Sequence, residues 1–392
     1  MSKVLVLLLT AAALLFVVWG CSQDRTPLSS DPETVLSTAA TGMTDVLIGF
    51  KGERPTQAIQ AAGGSIKRDY QYVPVVFASL PAGAVNAMKN NPNVLYIEPD
   101  ITRTLVAQVL DWGVNRIDAE YVHNNSSYNG AGIDVAVLDS GGDMDHPDLT
   151  WAGGISMVNN DPNNWDDKNG HGTHCAGIIS ADNNTIGVVG VAPNCDIWAV
   201  QVSATSLISI SNIIAGIDWV IATHHDSDPN NDIKVVSMSF SGPASDAEAA
   251  ALLAAYNEDI LLVAAAGNSS GPVEYPAAHD YVMAISASTS TDAIASYSNY
   301  GPEIENIAPG SSIYSTYKGG KYRTLSGTSM ACPMVAGTAV LAWSAHPTYT
   351  RDQIRNLLHS SAEDIGLASN YQGYGLIDAE KATLGTTNGN DY

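Results

Sequence analysis

Between residues 44 and 100, short runs of alternating apolar and polar residues are interrupted by two stretches with helical spacing. Alternation with a period of two buries one face of a strand, whereas apolar residues three and four apart line one side of a helix. The rule predicts strand, helix, strand, strand, helix, strand over residues 45–50, 55–62, 65–70, 75–80, 82–90 and 94–98. That order describes a small α+β unit. Past Gln108 the strands become continuous apolar runs such as Val135-Ala136-Val137-Leu138, with helical stretches between them. Strands that are apolar on both faces belong to a parallel sheet covered by helices on each side. Expected strands are 133–138, 196–202, 234–240, 260–265 and 282–287, and expected helices 171–180, 209–223, 245–257, 329–345 and 350–360. The fold class that follows is α/β, a parallel central sheet flanked by helices, preceded by the small α+β unit. Residues 385–392 read as a frayed polar tail.

The ends and the composition refine this picture. Lys3 precedes an apolar stretch, 4–19, shorter than the roughly 20 residues that span a bilayer, and it reads as an export signal. Gly20-Cys21 closes the stretch and resembles the lipobox of bacterial lipoproteins, in which the cysteine is lipidated; Trp19 departs from that pattern, and an ordinary cleaved signal is the alternative. Residues 22–43 are rich in Ser, Thr, Pro and Asp, as a flexible tether is. The expected organisation is therefore 1–21 signal, 22–43 tether, 44–106 small folded unit and 107–392 large domain. Residues 1–106 hold eight basic and eight acidic side chains, so the net charge of −23 falls wholly on the large domain. Such a surface repels phosphate backbones, which argues against nucleic acid as a partner, and it favours solubility. Apart from Cys21, three cysteines remain, Cys175, Cys195 and Cys332; an odd number implies no disulfide framework. Nothing indicates an oligomer, and a monomer is expected.

Three runs carry the chemistry. The strand 133–138 delivers Asp139 to the carboxyl edge of the sheet, where open α/β folds place their ligands. His171, in Gly170-His171-Gly172-Thr173-His174, opens a helix whose small residues Gly172, Ala176 and Gly177 permit close packing. Ser329, in Gly327-Thr328-Ser329-Met330-Ala331-Cys332-Pro333, opens another, with Pro333 early in it where a missing amide proton does little harm. The order Asp, His, Ser is one in which a nucleophilic serine, a general base and an orienting carboxylate are assembled. A serine at a helix start has backbone amides and the positive end of the dipole beside it, which suits a developing oxyanion. Asn268, after the apolar run Ala264-Ala265-Ala266-Gly267, supplies a second donor. His171 and His174 are three apart with no glutamate between them, which is not a zinc pattern; His174 reads as a packed structural histidine and Cys175 as a small buried residue beneath the site.

The runs DSGGDMDHPDL, NGHGTHCAG, VVSMSFSGP, VAAAGN and SGTSMACPMVAG resemble those of the subtilisin-like serine peptidases, and the likeness extends over about residues 44–384. The resemblance implies a secreted serine endopeptidase with Asp139, His171 and Ser329 as triad and Asn268 as oxyanion donor. It also implies that Ser239, Phe240, Ser241 and Gly242 form an edge that pairs with an extended polypeptide substrate. The second wall is expected near residues 206–209. No acid is evident at the base of the first pocket, so neutral, apolar side chains are the expected preference there.

The loop from Asp182 to Val188 resembles the family's calcium loop, with the carbonyls of Asp182, Ile186 and Val188, the Asn184 side chain, and Gln108 and Asp148 as oxygen ligands for a structural Ca²⁺. Residues 44–106 correspond to the propeptide, a folding template and then an inhibitor, and self-cleavage is expected near Val106-Ala107. If Cys21 carries lipid, the precursor is membrane-anchored and processing frees the enzyme. Met334 stands where the family commonly has histidine, and altered packing is expected there. The rival readings are a catalytically silent subtilisin-like lipoprotein acting as a binding module, and a metal-dependent hydrolase, for which no ligand set is evident.

Overall fold

The structure, a computed structural model, describes residues 42–52, 54, 56–100, 108–158, 161–228 and 230–386. The apolar stretch 4–19, Cys21, most of the tether, the Val106-Ala107 bond and residues 387–392 of the polar tail lie outside the described residues. The chain divides into two compact units at Thr104 and Leu105.

In the first unit, β1 (Met43–Phe50), α1 (Thr56–Ala61), β2 (Ser65–Asp69), β3 (Val75–Pro81), α2 (Ala82–Lys89) and β4 (Val94–Pro99) follow the predicted order. The strands form an antiparallel sheet in the order β2-β3-β1-β4. Alternation places Val46 and Ile48 of β1 and Val76, Ala78 and Leu80 of β3 in one core with Ile59 and Met88.

The second unit begins with two short helices, α3 (Trp112–Arg116) and α4 (Ala119–Asn125). It continues with β5 (Asp134–Asp139), β6 (Trp151–Ser156), α5 (His171–Ser180), β7 (Asp196–Gln201), α6 (Ile210–Thr223), β8 (Ile233–Met238), α7 (Asp246–Asn257), β9 (Leu261–Ala265), β10 (Met283–Ser288) and β11 (Ile304–Pro309). The hairpin β12 (Ile313–Tyr317) and β13 (Lys321–Leu325) follows, then α8 (Thr328–Ala345), α9 (Arg351–Ser361), α10 (Ser369–Gln372) and α11 (Ala379–Leu384).

Seven strands form one parallel sheet in the order β11-β10-β9-β8-β5-β7-β6. In β5, Val135 and Val137 face a core shared with α5 and α8, while Ala136 and Leu138 face a second core shared with α6 and α7. The continuous apolar runs are thus explained by a sheet buried on both faces. Helix α8 is the one described helix apolar and long enough to cross a membrane, and it is a core helix, with 83% of that stretch buried inside the fold.

Several elements differ from expectation. β6, β11, the β12–β13 hairpin and the short helices α3, α4, α10 and α11 carry no alternation or period long enough to read. The strand expected over 234–240 ends at Met238, and Ser239 to Gly242 leave the sheet. The helix expected to open at Ser329 begins one residue earlier, at Thr328. Helix α5 packs against β12 through Gly177, where an added Cβ would lie 2.1 Å from Thr316 Oγ1 and 2.6 Å from Ser315 Oγ. Both hydroxyls are fixed by bonds to α5 carbonyls. Gly177→Ala is expected to cost about 1–3 kcal/mol through overpacking, read as a lowered Tm.

Candidate active site

β5 ends at Asp139, a residue 3% exposed whose carboxylate accepts from the Ser140 amide at 2.7 Å. Both carboxylate oxygens lie 2.9 Å from His171 Nδ1. His171 is the first residue of α5, and its N-cap, Gly170, has φ +101°, a conformation that glycine adopts without penalty. Glycine offers no capping side chain, so Asp167 collects the free donors at the helix start: the Gly170 amide at 2.7 Å, the Thr173 amide at 2.9 Å and the Thr173 hydroxyl at 2.7 Å. Asp167 also accepts from Ser140 Oγ at 2.9 Å, and that oxygen accepts from the Gly172 amide at 2.9 Å. At Gly172 a Cβ would lie 2.2 Å from the Gly141 carbonyl, so only glycine lets the two chain segments approach this closely.

Ser329 is the second residue of α8. Its hydroxyl donates to the Ser239 carbonyl at 3.1 Å, and Ser239 Oγ donates to the Ser329 carbonyl at 2.8 Å. Cys175 Sγ lies 3.9 Å from His171 Nδ1 and 3.4 Å from the Ser329 carbonyl, so the thiol sits beneath both groups. Asn268 follows β9, and its Oδ1 accepts from the Thr328 amide at 2.8 Å and the Thr328 hydroxyl at 3.1 Å, which leaves Nδ2 as the free donor. Asp139, His171, Asn268 and Ser329 line one cleft of about 460 Å³.

Electrostatics separate the two histidines. Burial disfavours the His171 cation, but the Asp139 carboxylate outweighs it and raises the imidazole well above its ordinary pKa. His174, fully buried with Nε2 2.9 Å from the Arg323 carbonyl, is pushed by burial down to about 4 and stays neutral. Burial raises the Cys175 thiol and pushes Cys332 up to about 12, so both are protonated at neutral pH, and all three described cysteines are free.

Ser239, Phe240, Ser241 and Gly242 all border the cleft, as do Ser206, Leu207 and Ile208. Gly242 has its amide and carbonyl taken by Tyr275, at 2.8 and 3.1 Å, which anchors this segment. The wall also contains Glu248, an acid the sequence pattern did not point to.

The six residues expected to hold calcium are linked to one another by hydrogen bonds. Gln108 Nε2 donates to the carbonyls of Asp182 at 2.6 Å and Val188 at 2.9 Å. Asp148 accepts from Asn184 Nδ2 at 2.7 Å and the Val188 amide at 2.8 Å, and Asn184 Oδ1 accepts from the Ile186 amide at 2.7 Å. The Asp182 side chain turns instead to Thr150. Asp148 is fully buried, and burial raises its carboxyl.

The subtilase family profile matches residues 130–375, which contain the whole cleft. This chain belongs to the subtilase family. It is 39% identical over 350 residues to subtilisin amylosacchariticus of Bacillus subtilis subsp. amylosacchariticus, covering 86% of this chain and 89% of the relative. It is 42% identical over 318 residues to a thermostable alkaline protease of Halalkalibacterium halodurans, covering 80% and 84%. This subtilase is accordingly a serine endopeptidase. Met334, at the departure from the family pattern, is fully buried against the Gly113 region, a packing role.

Two buried positioning residues of this subtilase have little sequence signal. Asp167 precedes the helix start within Asp166-Asp167-Lys168-Asn169-Gly170 and is readable at most as a cap. Asn299, fully buried, accepts from the Ser269 amide at 2.8 Å and the Gly271 amide at 3.0 Å, and donates to the Ala266 carbonyl at 3.1 Å, bracing the turn that presents Asn268. Asp167→Ala leaves several buried donors unmet and is expected to cost about 2–3 kcal/mol together with turnover. Asp166→Ala, which removes an exposed ion pair with Lys168, should change stability by less than about 1 kcal/mol; thermal unfolding of both variants checks this.

Proposed function

We propose that Asp139, His171 and Ser329 form the catalytic triad of a secreted, self-processing peptidase. The observation that carries this reading is the His171 ring, held by Nδ1 against both Asp139 oxygens in the cleft that Ser329 and Asn268 also line. With Nδ1 committed, Nε2 is the nitrogen available as base. Rotation of the Ser329 hydroxyl from the Ser239 carbonyl to Nε2 is a rotamer change. Ser329 Oγ then attacks the scissile carbonyl while its proton passes to Nε2, and the imidazolium is stabilised by Asp139. Asn268 Nδ2 and the Ser329 amide receive the oxyanion. The proton goes on to the leaving amine, and water hydrolyses the acyl-enzyme by the same path.

In this reading, residues 44–106 are the propeptide, the chain is exported, and cleavage near Val106-Ala107 releases the mature domain. Where Cys21 is lipidated, the anchor stays with the propeptide. Parallel sheets rich in distant pairings fold slowly, which gives a folding template its use. Ser329→Ala beside wild type is the test: only wild type should trim near Val106 and react with a fluorophosphonate. Trimming by Ser329→Ala in pure form would refute self-processing. Asn268→Ala should retain fluorophosphonate labelling at a reduced rate and lower kcat by on the order of 10² to 10³, the effect such a donor has in a subtilisin.

Calcium fits the loop formed by Gln108, Asp148, Asp182, Asn184, Ile186 and Val188. Two carbonyls converge there on an amide group, the place a hard cation with oxygen ligands would take, and the buried Asp148 carboxylate gains from a nearby positive charge. The ion would add stability, while the chemistry stays with the triad. Calcium at 100 times its Kd should add about 2.7 kcal/mol. The expected outcome is a Tm that falls on chelation and recovers with calcium in Ser329→Ala, and a weakened calcium response when Asn184→Ala is added.

A further inference from the structure

Glu248 stands in the cleft wall without a counterpart inside the protein. Ser245-Asp246-Ala247-Glu248 has the spacing of a capping box, in which the carboxylate reaches back to the cap residue's amide. Helix α9 completes both halves of such a box through Thr350 and Gln353. Helix α7 completes one: Ser245 Oγ accepts from the Glu248 amide at 3.3 Å. The Glu248 carboxylate has no hydrogen-bond or ion-pair partner among the described residues, although the residue is 2% exposed, and burial alone raises its pKa. A buried carboxylate left unpaired is costly, and such groups are ordinarily met by a cation.

Its surroundings indicate what could meet it. The reacting groups stand at the end of β5 and the starts of α5 and α8. Glu248 stands in the first turn of α7, beside the start of α6, where Ile210, Ile213 and Phe240 complete an apolar wall. These residues line the same cleft as Asp139, His171 and Ser329, but belong to different elements. A lysine or arginine suits such a place, because its aliphatic stem packs on apolar surface while its head seeks a carboxylate. The sequence before the proposed processing bond has the matching form: in Arg103-Thr104-Leu105-Val106 a guanidinium stands three residues before Val106. An extended chain advances about 3.3 Å per residue, which puts that side chain roughly 10 Å from the bond.

We propose that Glu248 is a specificity-determining residue that receives a Lys or Arg side chain of the substrate, four residues before the scissile bond, against Ile210, Ile213 and Phe240. The first pocket keeps its preference for neutral side chains. This deepens the peptidase reading and rests on it.

The test uses mature enzyme and fluorogenic peptides with Leu-Val before the scissile bond, carrying Arg, Ala or Glu at the fourth position and, separately, at the third. Wild type should show a kcat/KM for Arg over Ala at the fourth position of roughly tenfold or more, with Glu below Ala. The ratio should collapse toward one in Glu248→Gln and keep its direction in Glu248→Asp, where the charge remains. A wild-type ratio near one, or an arginine preference that survives Glu248→Gln, overturns the assignment. Should Glu248→Gln fail to mature, the Glu248→Asp and wild-type ratios decide: loss of the preference in both, or its absence, overturns it. Wild type that cleaves none of the peptides and fails to label with fluorophosphonate refutes the peptidase reading instead, and the inference with it.

Discussion

A carboxylate withdrawn from water at the end of a central strand must find donors beyond that strand, and this need governs the whole site. β5 is hydrogen-bonded on both sides, to β7 and β8, so Asp139 can be met only by what lies past the sheet edge. The Ser140 amide and the His171 ring are those donors. The ring is in reach because α5 starts where Gly172 passes close to the Gly141 carbonyl, and because Asp167 ties the helix start to Ser140. One buried acid thus orients the imidazole, and a second, Asp167, holds the orienting geometry together. Loss of either loosens the placement of the His171 ring, even where the fold survives.

Helix α8 meets a related demand on the other side. Its buried residues run almost without interruption from Thr328 to Trp343, so it has no solvent face on which to pivot. A serine on its first turn therefore has its backbone fixed by the core, and only the side chain is left free to turn. Ser239 grips that turn from the cleft edge through the Ser329 carbonyl, and Thr328 grips Asn268. Ser329 and Asn268 are consequently positioned by one helix start.

The parts that were legible in the sequence are those whose signal is local. Continuous apolar runs gave β5, β7, β8, β9 and β10, and the words around Asp139, His171 and Ser329 lie where those strands end or helices begin. β6 was not legible because Trp151-Ala152-Gly153-Gly154 shows no alternation. Its glycines serve the rings of Trp198 and Trp165, which lie where a Cβ would be. Asn299 was not legible because its partners, mostly backbone groups, lie about thirty residues away. Glu248 was hidden by a pattern with a commoner meaning, since Ser-x-x-Glu before a helix ordinarily closes a capping box.

Three buried acids show how much of a charge the fold itself answers. Asp139 faces an imidazole that its own field keeps readily protonated, so the pair is answered from within. Asp148 receives an amide side chain and a backbone amide, neutral donors that satisfy its lone pairs while burial still raises its pKa. Glu248 receives neither charge nor hydrogen bond. The ranking runs from a group answered by a neighbouring cation, through one met by neutral donors, to one that the fold leaves unmet. Proteins seldom retain an unanswered buried charge, and a carboxylate in the wall of a cleft need be unanswered only until the cleft is filled.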